Sequence, residues 1–317
     1  MKISIALATY NGEKYLQEQL NSILKQSMLP DEVVVSDDHS KDKTTEILNG
    51  FKSNAPFEVI VIKNKESGLS KNFNNALMNT SGDLVFMCDQ DDVWFSRKIE
   101  KVFHFFKNHP DCQVAIHDVM FCDHNLNELK QTKIQRFKIL CKSVDSYDSG
   151  MATTVKNTFL KNCLPVPDGM TYDSWIHSCA NTLNVKCIIN EVYAYYRRHS
   201  KSVTRDSLIN KPFKPFYFDY VLDRLYENPL ENVIAEMTEI EYLIKFLDDH
   251  WKKLLQAGTN PVQAKDGLIQ KKEVLVNRYK LLNKNHLVRI PLALDFYFKG
   301  GYTRFSGWKS MIKDILH

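Results

Sequence analysis

The segment ISIALATYNGEKYLQEQLNSILKQS, residues 3–27, decides how the first part of this chain folds. Its first six residues, 3–8, are nearly all apolar and include β-branched side chains, a pattern typical of a buried strand. Residues 12–27 predict a helix, because apolar side chains recur there at spacings of three and four residues. These side chains are Tyr15, Leu16, Leu20, Ile23 and Leu24. The segment therefore predicts a strand followed by an amphipathic helix.

The same alternation continues to about residue 125. Strand-like runs lie at 32–38, 57–64 and 83–88, and helical patterns lie at 41–51, 68–81 and 96–109. Strands that are apolar throughout and separated by helices indicate βαβ units around a buried parallel sheet. We therefore predict an α/β fold with a mostly parallel, Rossmann-like sheet flanked by helices.

The rest of the chain is less regular. Residues 112–123 predict a strand pair or a strand and turn, 171–183 a helix, and 185–199 a strand followed by another strand or a turn. The segments 228–256 and 262–284 carry helical apolar stripes, so a mainly helical C-terminal region is expected. We place the domain boundary near 205–215, which divides the chain into residues 1–205 and 206–317.

The composition of the chain disfavours several classes of protein. The net charge of the 317-residue chain is only +4, so the molecule as a whole does not resemble a nucleic-acid-binding protein. The seven cysteines are odd in number and include no Cys-x-x-Cys pair, which favours reduced thiols over disulfides or a zinc site. The N-terminus lacks a signal-peptide pattern, and no stretch approaches 18 uncharged apolar residues. We therefore expect a cytoplasmic protein.

Polar residues follow the predicted strands at one rim of the sheet. Residues 9–12 follow the first strand, Asp37 and Asp38 end the second, and 89–92 follow the fourth. In parallel sheets the ligand lies beyond the carboxyl ends of the strands. The carboxylates at 89–92 would suit a hard cation such as Mg²⁺ or Mn²⁺ and, through it, a ligand's phosphates. The alternative is a loop of turn-forming residues in which Asp92 caps the next helix.

Several of these stretches together resemble the family 2 glycosyltransferases. They are ALATYNGEKYLQEQLNSILKQS (6–27), VVVSDDHSKDKT (33–44), SGLSKNFNNAL (67–77) and SGDLVFMCDQDDVW (81–94), with looser matches in TYDSW (171–175) and YYRRHSKSV (195–203). The resemblance implies an inverting enzyme of the GT-A fold, with a nucleotide-binding half at 1–110 and an acceptor-binding half at 111–205. DQDDVW in particular resembles the branch that builds bacterial surface polysaccharides, which includes many rhamnosyltransferases.

The resemblance also implies roles in binding the sugar donor. Tyr10 would stack on a uracil or thymine base, as an aromatic face can. Asp38 would accept a hydrogen bond from the base, with Asp37 as the alternative. The remaining donor-binding candidates are Thr9 and Asn11 beside Tyr10, Lys71 and Asn72 near the ribose and diphosphate, and Arg198 near the leaving diphosphate.

For the metal, the resemblance implies Asp89 and Asp91 as an Asp-x-Asp motif. DQDD leaves the register open, because Asp91 with Asp92 could be the working pair instead; Asp91 belongs to both pairs. His199 resembles a late family histidine that reaches the metal or the diphosphate in some members. Arg198 stands where the family often has Gln.

Asp173 is the candidate catalytic base. An inverting transfer needs a carboxylate that deprotonates the acceptor hydroxyl, separate from the carboxylates that hold the cation. In TYDSW the Asp and Trp match the family pattern, while Tyr172 replaces the usual His or Glu. Trp175 would then line the acceptor site with its apolar ring. Asp118 is a weaker candidate for contact with the acceptor. The alternative is a structural role, in which Asp173 lies at the N-terminus of a helix and is stabilised there by the helix dipole.

The C-terminal segment is basic. Residues 264–317 carry eleven Lys/Arg and four Asp/Glu, so their net charge is 11 − 4 = +7. Basic residues interleaved with aromatic and aliphatic ones suit the inner face of an anionic membrane. The alternative is a helical hairpin packed on the catalytic domain or on a second subunit.

The expected function is therefore metal-dependent transfer of a sugar from a UDP- or dTDP-sugar to a saccharide or lipid-linked acceptor. Rhamnose is favoured by resemblance, and galactose and glucose remain open. A sugar-1-phosphate nucleotidyltransferase is disfavoured, because residues 8–15, ATYNGEKY, contain one glycine and lack a glycine-rich phosphate loop. A non-catalytic nucleotide-sugar-binding protein remains the main alternative.

Overall fold

The computed structural model describes residues 1–140, 143–199, 228–303, 305 and 307–316. The chain divides into two units, Met1–Asn210 and Lys211–His317. The domain boundary predicted at 205–215 lies outside the described residues and stays a prediction.

Nine strands of the first unit form one sheet. They are β1 (Ile3–Thr9), β2 (Glu32–Asp37), β3 (Glu58–Lys63), β4 (Leu84–Cys88), β5 (Val93–Trp94), β6 (Val114–Cys122), β7 (Glu128–Thr132), β8 (Thr153–Lys156) and β9 (Lys186–Arg197). Their order is β3-β2-β1-β4-β8-β6-β9-β5, with β7 beside β6. The first four strands are parallel, β8 runs antiparallel between β4 and β6, and β6 and β9 are again parallel.

Seven helices accompany this sheet in the described residues. They are α1 (Leu16–Leu24), α2 (Thr44–Asn54), α3 (Leu69–Met78), α4 (Lys98–Asn108), α5 (Lys133–Ile139), α6 (Asn157–Cys163) and α7 (Tyr172–Thr182). Every residue of β1, β2 and β4 is buried, as expected for strands covered on both faces. The predicted α/β fold with a mostly parallel sheet is confirmed.

The segments 112–123 and 185–199, whose sequence pattern was irregular, each contain one continuous strand. Residues 114–122 form one strand, β6, rather than a strand pair, and β7 follows as its antiparallel neighbour. β9 is also continuous, but its register against β6 shifts between the pairs His117–Ile189 and Asp118–Val192. The two extra residues of β9 form a bulge, which re-aims the side chains that follow.

The second unit contains four helices in its described residues. They are α8 (Pro229–Gln256), α9 (Pro261–Leu282), α10 (His286–Phe298) and α11 (Trp308–Leu316). Asn228 and Asn260 cap α8 and α9 with their side-chain oxygens, and a proline occupies the first position of each helix. The mainly helical C-terminal region is thus confirmed. Among the described helices, none has the combined length and apolarity needed to cross a bilayer.

Candidate active site

The ends of β1 and β2 lie level at one rim of the sheet. Their parallel register pairs Thr9 with Asp37, and Thr9 Oγ1 donates to Asp37 Oδ1 at 2.9 Å. Ser40 donates to the same carboxylate from its amide at 3.0 Å and from its hydroxyl at 2.6 Å. Asp37 is buried, and its oxygens accept hydrogen bonds from Thr9 and Ser40. Of the adjacent Asp37 and Asp38, Asp37 therefore has the structural role.

Asp38 begins the loop after β2 and is only half-buried. Its Oδ1 accepts from Asn64 Nδ2 at 3.0 Å, and its Oδ2 accepts from the Gly68 amide at 2.9 Å. Its own amide donates to the Thr9 carbonyl at 2.9 Å. The carboxylate therefore lies at the rim and organises the turn that leads into α3.

The loop after β1 is fastened to the loop after β4 by one side chain. Gln90 Oε1 accepts from the Tyr10 amide at 2.9 Å, and Gln90 Nε2 donates to the Tyr10 carbonyl at 3.0 Å. The Tyr10 ring remains 57% exposed. A Cβ at Gly12 would lie 2.4 Å from Gln90 Oε1, so a larger residue there would displace the Gln90 amide from this contact. The two loops therefore form one surface with an accessible aromatic face.

Asn11 adopts the left-handed conformation, with φ of 44°, which asparagine tolerates better than most residues. Its Oδ1 accepts from the Lys41 amide at 2.8 Å, and its own amide donates to Ser40 Oγ at 2.9 Å. The side chain thus holds the loop that presents Tyr10. Its predicted contact with the donor stays a prediction.

The two α3 candidates have different surroundings. Asn72 is buried, and its Nδ2 donates to the Thr9 carbonyl at 2.9 Å, while its Oδ1 has no hydrogen-bond partner in the described part of the chain. Lys71 is exposed and forms ion pairs with Asp168 at 2.6 Å and Glu66 at 3.4 Å. The Asp168 carboxylate raises the pKa of Lys71. Both residues lie on α3, whose Asn72 reaches the rim.

The acid loop, residues 89–92, holds its three carboxylates in different ways. Asp91 Oδ2 lies 2.8 Å from His199 Nε2. Asp92 is fully buried, with Oδ1 accepting from the Arg197 amide at 2.9 Å and Oδ2 without a partner among the described residues. Asp89 Oδ1 accepts a 3.4 Å hydrogen bond from the Tyr172 hydroxyl. No three His, Cys, Asp or Glu side chains within the described ranges are arranged to hold a metal ion.

Two carboxyl groups of the acid loop, Asp89 and Asp92, have raised pKa values. Burial, followed by the charges of Asp91 and Asp173, raises the pKa of Asp89 to about 7. Burial and the charges of Asp91 and Asp89 hold the pKa of Asp92 well above its usual range. The fully buried Lys98 lies near this loop, and burial lowers its pKa to about 7. Ionising all three carboxylates is therefore unfavourable in the absence of further positive charge, and a bound cation would lower this cost.

Arg197 ties β9 to the acid loop. Its Nε donates to the Asp91 carbonyl at 2.7 Å, and its guanidinium forms an ion pair with Glu18 and lies 4.5 Å from the Tyr15 ring centroid. Arg198 instead donates from its guanidinium to the Tyr196 hydroxyl at 3.1 Å. Successive side chains of a strand point to opposite faces, so only one of two adjacent arginines can face this loop. The predicted diphosphate contact of Arg198 stays a prediction without support from this geometry.

Asp173 lies in the first turn of α7 and is half-buried. Its Oδ1 accepts from the Ser174 amide at 3.0 Å, and its Oδ2 accepts from the Gly150 amide at 3.2 Å. Its charge contributes to the raised pKa of Asp89, so the two carboxylates are close enough to interact. The structure thus brings Asp173 to the acid loop from more than eighty residues away.

The two predicted acceptor residues lie inside the protein. Trp175 is 3% exposed, and its Nε1 donates to the Cys163 carbonyl at 2.7 Å. Asp118 is 5% exposed, and its Oδ1 accepts from the amides of Val119 and Ile134, both at 2.9 Å. Burial and satisfied polar atoms indicate structural roles for both, so their acceptor contacts stay predictions that this geometry does not favour.

Sequence reasoning missed Gln90, Lys98 and Arg197. Gln90 could have been noticed because it lies inside the Asp-x-Asp motif, but its partner is eighty residues away. Lys98 opens an amphipathic helix, where a lysine is ordinarily exposed. Arg197 and Arg198 are indistinguishable until the strand register is known.

Comparison with known proteins gives the family. Residues 4–161 match the model of "Glycosyl transferase family 2". An uncharacterised glycosyltransferase of Nostoc sp. is 26% identical over 63% of this chain and 65% of its own length. The dTDP-rhamnosyl transferase RfbG of Shigella flexneri is 35% identical over 34% of this chain and 37% of its own length. The chain thus aligns with less than two thirds of either relative.

Two solved structures share the fold at low identity. The S. aureus TarS fragment 1–349 in complex with UDP-GlcNAc superposes with a TM-score of 0.56 at 20% identity, covering 99% of this chain and 90% of that one. The mannosyltransferase PcManGT of Pyrobaculum calidifontis, in complex with GDP-Man and Mn²⁺, superposes with a TM-score of 0.51 at 15% identity, covering 99% and 85%. The fold, the family match and the rim geometry agree, and through residues 4–161 the chain belongs to glycosyl transferase family 2.

Proposed function

We propose that this protein is a metal-dependent inverting glycosyltransferase that moves a sugar from a nucleoside-diphosphate sugar to a hydroxyl of a saccharide or lipid-linked saccharide. The observation that carries the proposal is the division of carboxylates at one rim. Asp91 faces His199 at 2.8 Å in the acid loop, while Asp173 approaches the same loop from α7 and raises the pKa of Asp89. An inverting transfer needs such a cation-holding group beside a separate base.

The donor's nucleotide would bind where the loops after β1 and β2 meet. The exposed Tyr10 ring offers a stacking surface, and the half-buried Asp38 carboxylate offers acceptors to a base N–H. The Oδ1 of buried Asn72, which has no hydrogen-bond partner among the described residues, offers a further acceptor beside Thr9. RfbG acts on dTDP-rhamnose by its name, and TarS was solved with UDP-GlcNAc. We favour dTDP- or UDP-sugars, with rhamnose first and galactose or glucose as alternatives.

We propose Mn²⁺ or Mg²⁺ as the cation, because carboxylate oxygens with one imidazole suit such an ion chemically, although the described side chains are not arranged around one point. Asp91 and His199 already lie within 2.8 Å of each other, and the Asp89 carboxyl is destabilised as an anion by burial and by the Asp91 charge. Asp92 is bound to the Arg197 amide, which favours Asp89 with Asp91 as the working pair. The bound ion would neutralise charge that develops on the leaving diphosphate. PcManGT was solved with Mn²⁺.

Asp173 would act as the base. Its Oδ2 would take the proton of the acceptor hydroxyl while that oxygen bonds to the anomeric carbon and the carbon–oxygen bond to the diphosphate breaks. The nucleoside diphosphate leaves with the bonding electron pair. The Ser174 and Gly150 amides, which already donate to the carboxylate, would hold it in place.

A donor panel tests the proposal. The full chain is incubated with Mn²⁺ or Mg²⁺ and with dTDP-rhamnose, UDP-galactose, UDP-glucose, UDP-GlcNAc or GDP-mannose, and both protection against melting and release of nucleoside diphosphate are measured. At least one donor should stabilise the protein in a metal-dependent way. The proposal fails if no donor stabilises the protein and no donor is turned over.

Variants separate the roles. Asp173→Asn should bind the donor normally and lose transfer by at least about a hundredfold, as expected for removal of a general base. Asp91→Asn should lose metal-dependent binding itself. Asp111→Asn, at an exposed carboxylate outside the rim, is the matched control and should behave as wild type. Undiminished transfer by Asp173→Asn would exclude Asp173 as the base, and binding without any transfer by the wild type would favour a non-catalytic binding protein.

A further inference from the structure

The last helix of the chain, α11, packs with its polar side inward. Asp314 is completely buried, and its two oxygens accept from Arg278 Nε and Nη2, each at 2.7 Å. The Tyr302 hydroxyl donates to Asp314 Oδ2 at 2.9 Å. A bidentate pair with a third donor satisfies a buried carboxylate, so this ion pair fixes which face of α11 turns toward the protein.

The opposite side of α11 is therefore apolar and exposed. Trp308, Ile312 and Leu316 recur every four residues and lie opposite Asp314 on the helical wheel. Trp308 is 54% exposed and Leu316 is 64% exposed. A helix of a soluble protein ordinarily turns such a stripe toward the core. Here the burial of Asp314 prevents it.

The adjacent helix α10 has the same character. Ten of its thirteen residues are apolar or aromatic, yet only Ala293 is buried. Leu287 is 84% exposed and Phe298 is 82% exposed, and Leu294, which lies on the same side of the helix, is also exposed. We call the exposed apolar side chains of Leu287, Leu294, Phe298, Trp308, Ile312 and Leu316 the α10–α11 face. An apolar surface of this density marks a site of interaction.

The segment that carries this face has a net positive charge, which favours a negatively charged partner. Residues 284–316 contain six Lys/Arg and two Asp/Glu, so their net charge is 6 − 2 = +4. Asp314 is buried against Arg278, and Asp295 is paired with Lys299 at 2.7 Å, so both acids are neutralised locally. A second copy would bring +4 against +4 at the contact. An anionic membrane offers opposite charge to the cations and hydrocarbon to the apolar side chains.

We propose that the α10–α11 face docks this protein on an anionic lipid bilayer. Trp308 and the leucine side chains enter the headgroup–acyl boundary, while Lys309 and Lys313, which follow Trp308 and Ile312 on α11, lie at the level of the phosphates. The proposal is independent of the donor and of the chemistry proposed above. It rests on the apolar side chains that the buried Asp314 turns outward.

Vesicle co-sedimentation of the full chain tests the proposal. Vesicles of phosphatidylcholine with 30% phosphatidylglycerol, roughly the anionic content that supports such binding, are compared with pure phosphatidylcholine vesicles. The wild type should bind the anionic vesicles, and its binding should weaken in 0.5 M salt, roughly where surface charges are screened. The double variant Trp308→Ser/Leu316→Ser should bind at least about tenfold more weakly, because two exposed apolar side chains are lost. Lys309→Gln and Lys313→Gln should each weaken binding about fivefold.

A matched control uses exposed apolar residues elsewhere in the same unit. Val262→Ser/Ile269→Ser changes two such residues of α9 and should bind vesicles as the wild type does. Unchanged melting temperatures establish that both double variants are folded. Failure of the wild type to bind anionic vesicles would overturn the proposal. The proposal would also be overturned if Trp308→Ser/Leu316→Ser bound anionic vesicles as tightly as the wild type. It would be overturned too if the wild type were a dimer that this double variant dissociates.

Discussion

Replacing Gln90 by alanine removes both hydrogen bonds that join the loop after β1 to the acid loop. The Tyr10 amide loses its 2.9 Å acceptor, and the Tyr10 carbonyl loses its 3.0 Å donor. Gln90 is not among the residues proposed to bind the metal, the donor or the acceptor. Gln90→Ala therefore asks whether donor binding depends on how the loops are held together.

The structure sets the size of the effect. Two neutral hydrogen bonds contribute together about 2 kcal/mol at most, since each contributes about 1 kcal/mol net. The Tyr10 backbone is exposed, so water replaces part of this loss and about 1 kcal/mol remains. That energy corresponds to about fivefold weaker donor binding. The free energy of unfolding should change by no more than the same amount, because the core is untouched.

The assay is calorimetric titration with UDP and with dTDP, each in the presence of Mn²⁺. Gln17→Ala is the control, because Gln17 also loses an exposed amide hydrogen bond, to Asn21 at 3.0 Å, but lies on α1 away from the loop contact. Gln90→Ala should raise the dissociation constant about fivefold, and Gln17→Ala should not change it. Equal affinity in wild type and Gln90→Ala would refute the idea that this side chain positions the loops.

Three further predictions follow from the described contacts. Burial raises the pKa of Asp89 from 3.8 to about 7, so the metal-free protein should lose stability as the pH rises between these values. Asp89→Asn should reduce that loss in melting curves recorded from about pH 5 to about pH 8, while the buried Asp92 retains its own contribution. Arg278→Met should cost about 3–5 kcal/mol in urea unfolding, because Asp314 would remain buried without its charge partner, and a loss below about 1 kcal/mol would contradict this. Gly150→Ala would place a Cβ 1.8 Å from the Tyr172 hydroxyl, so it should cost about 1–3 kcal/mol of unfolding free energy and lower turnover. Wild-type unfolding and turnover in that variant would disprove the contact.

The sequence by itself determined the first half of the fold and the position of the rim. Continuous apolar runs separated by helical periodicity predicted β1 to β4 and their parallel order, because both signals are local. Parallel strands end on the same edge, so Tyr10, Asp38 and the acid loop were predicted to meet there, and the structure brings them together. The C-terminal helices were predicted for the same reason.

Tertiary structure alone decided the rest. The insertion of antiparallel β8 between β4 and β6, the choice of Arg197 over Arg198 at the acid loop, and the loop contact of Gln90 depend on pairings between distant residues. Trp175 was placed at an acceptor site by its motif but is buried against Cys163. Local patterns specify which residues share a face, but not which partner that face meets. In α11 the partner, Arg278, decided that the charged side turns inward and the apolar side outward.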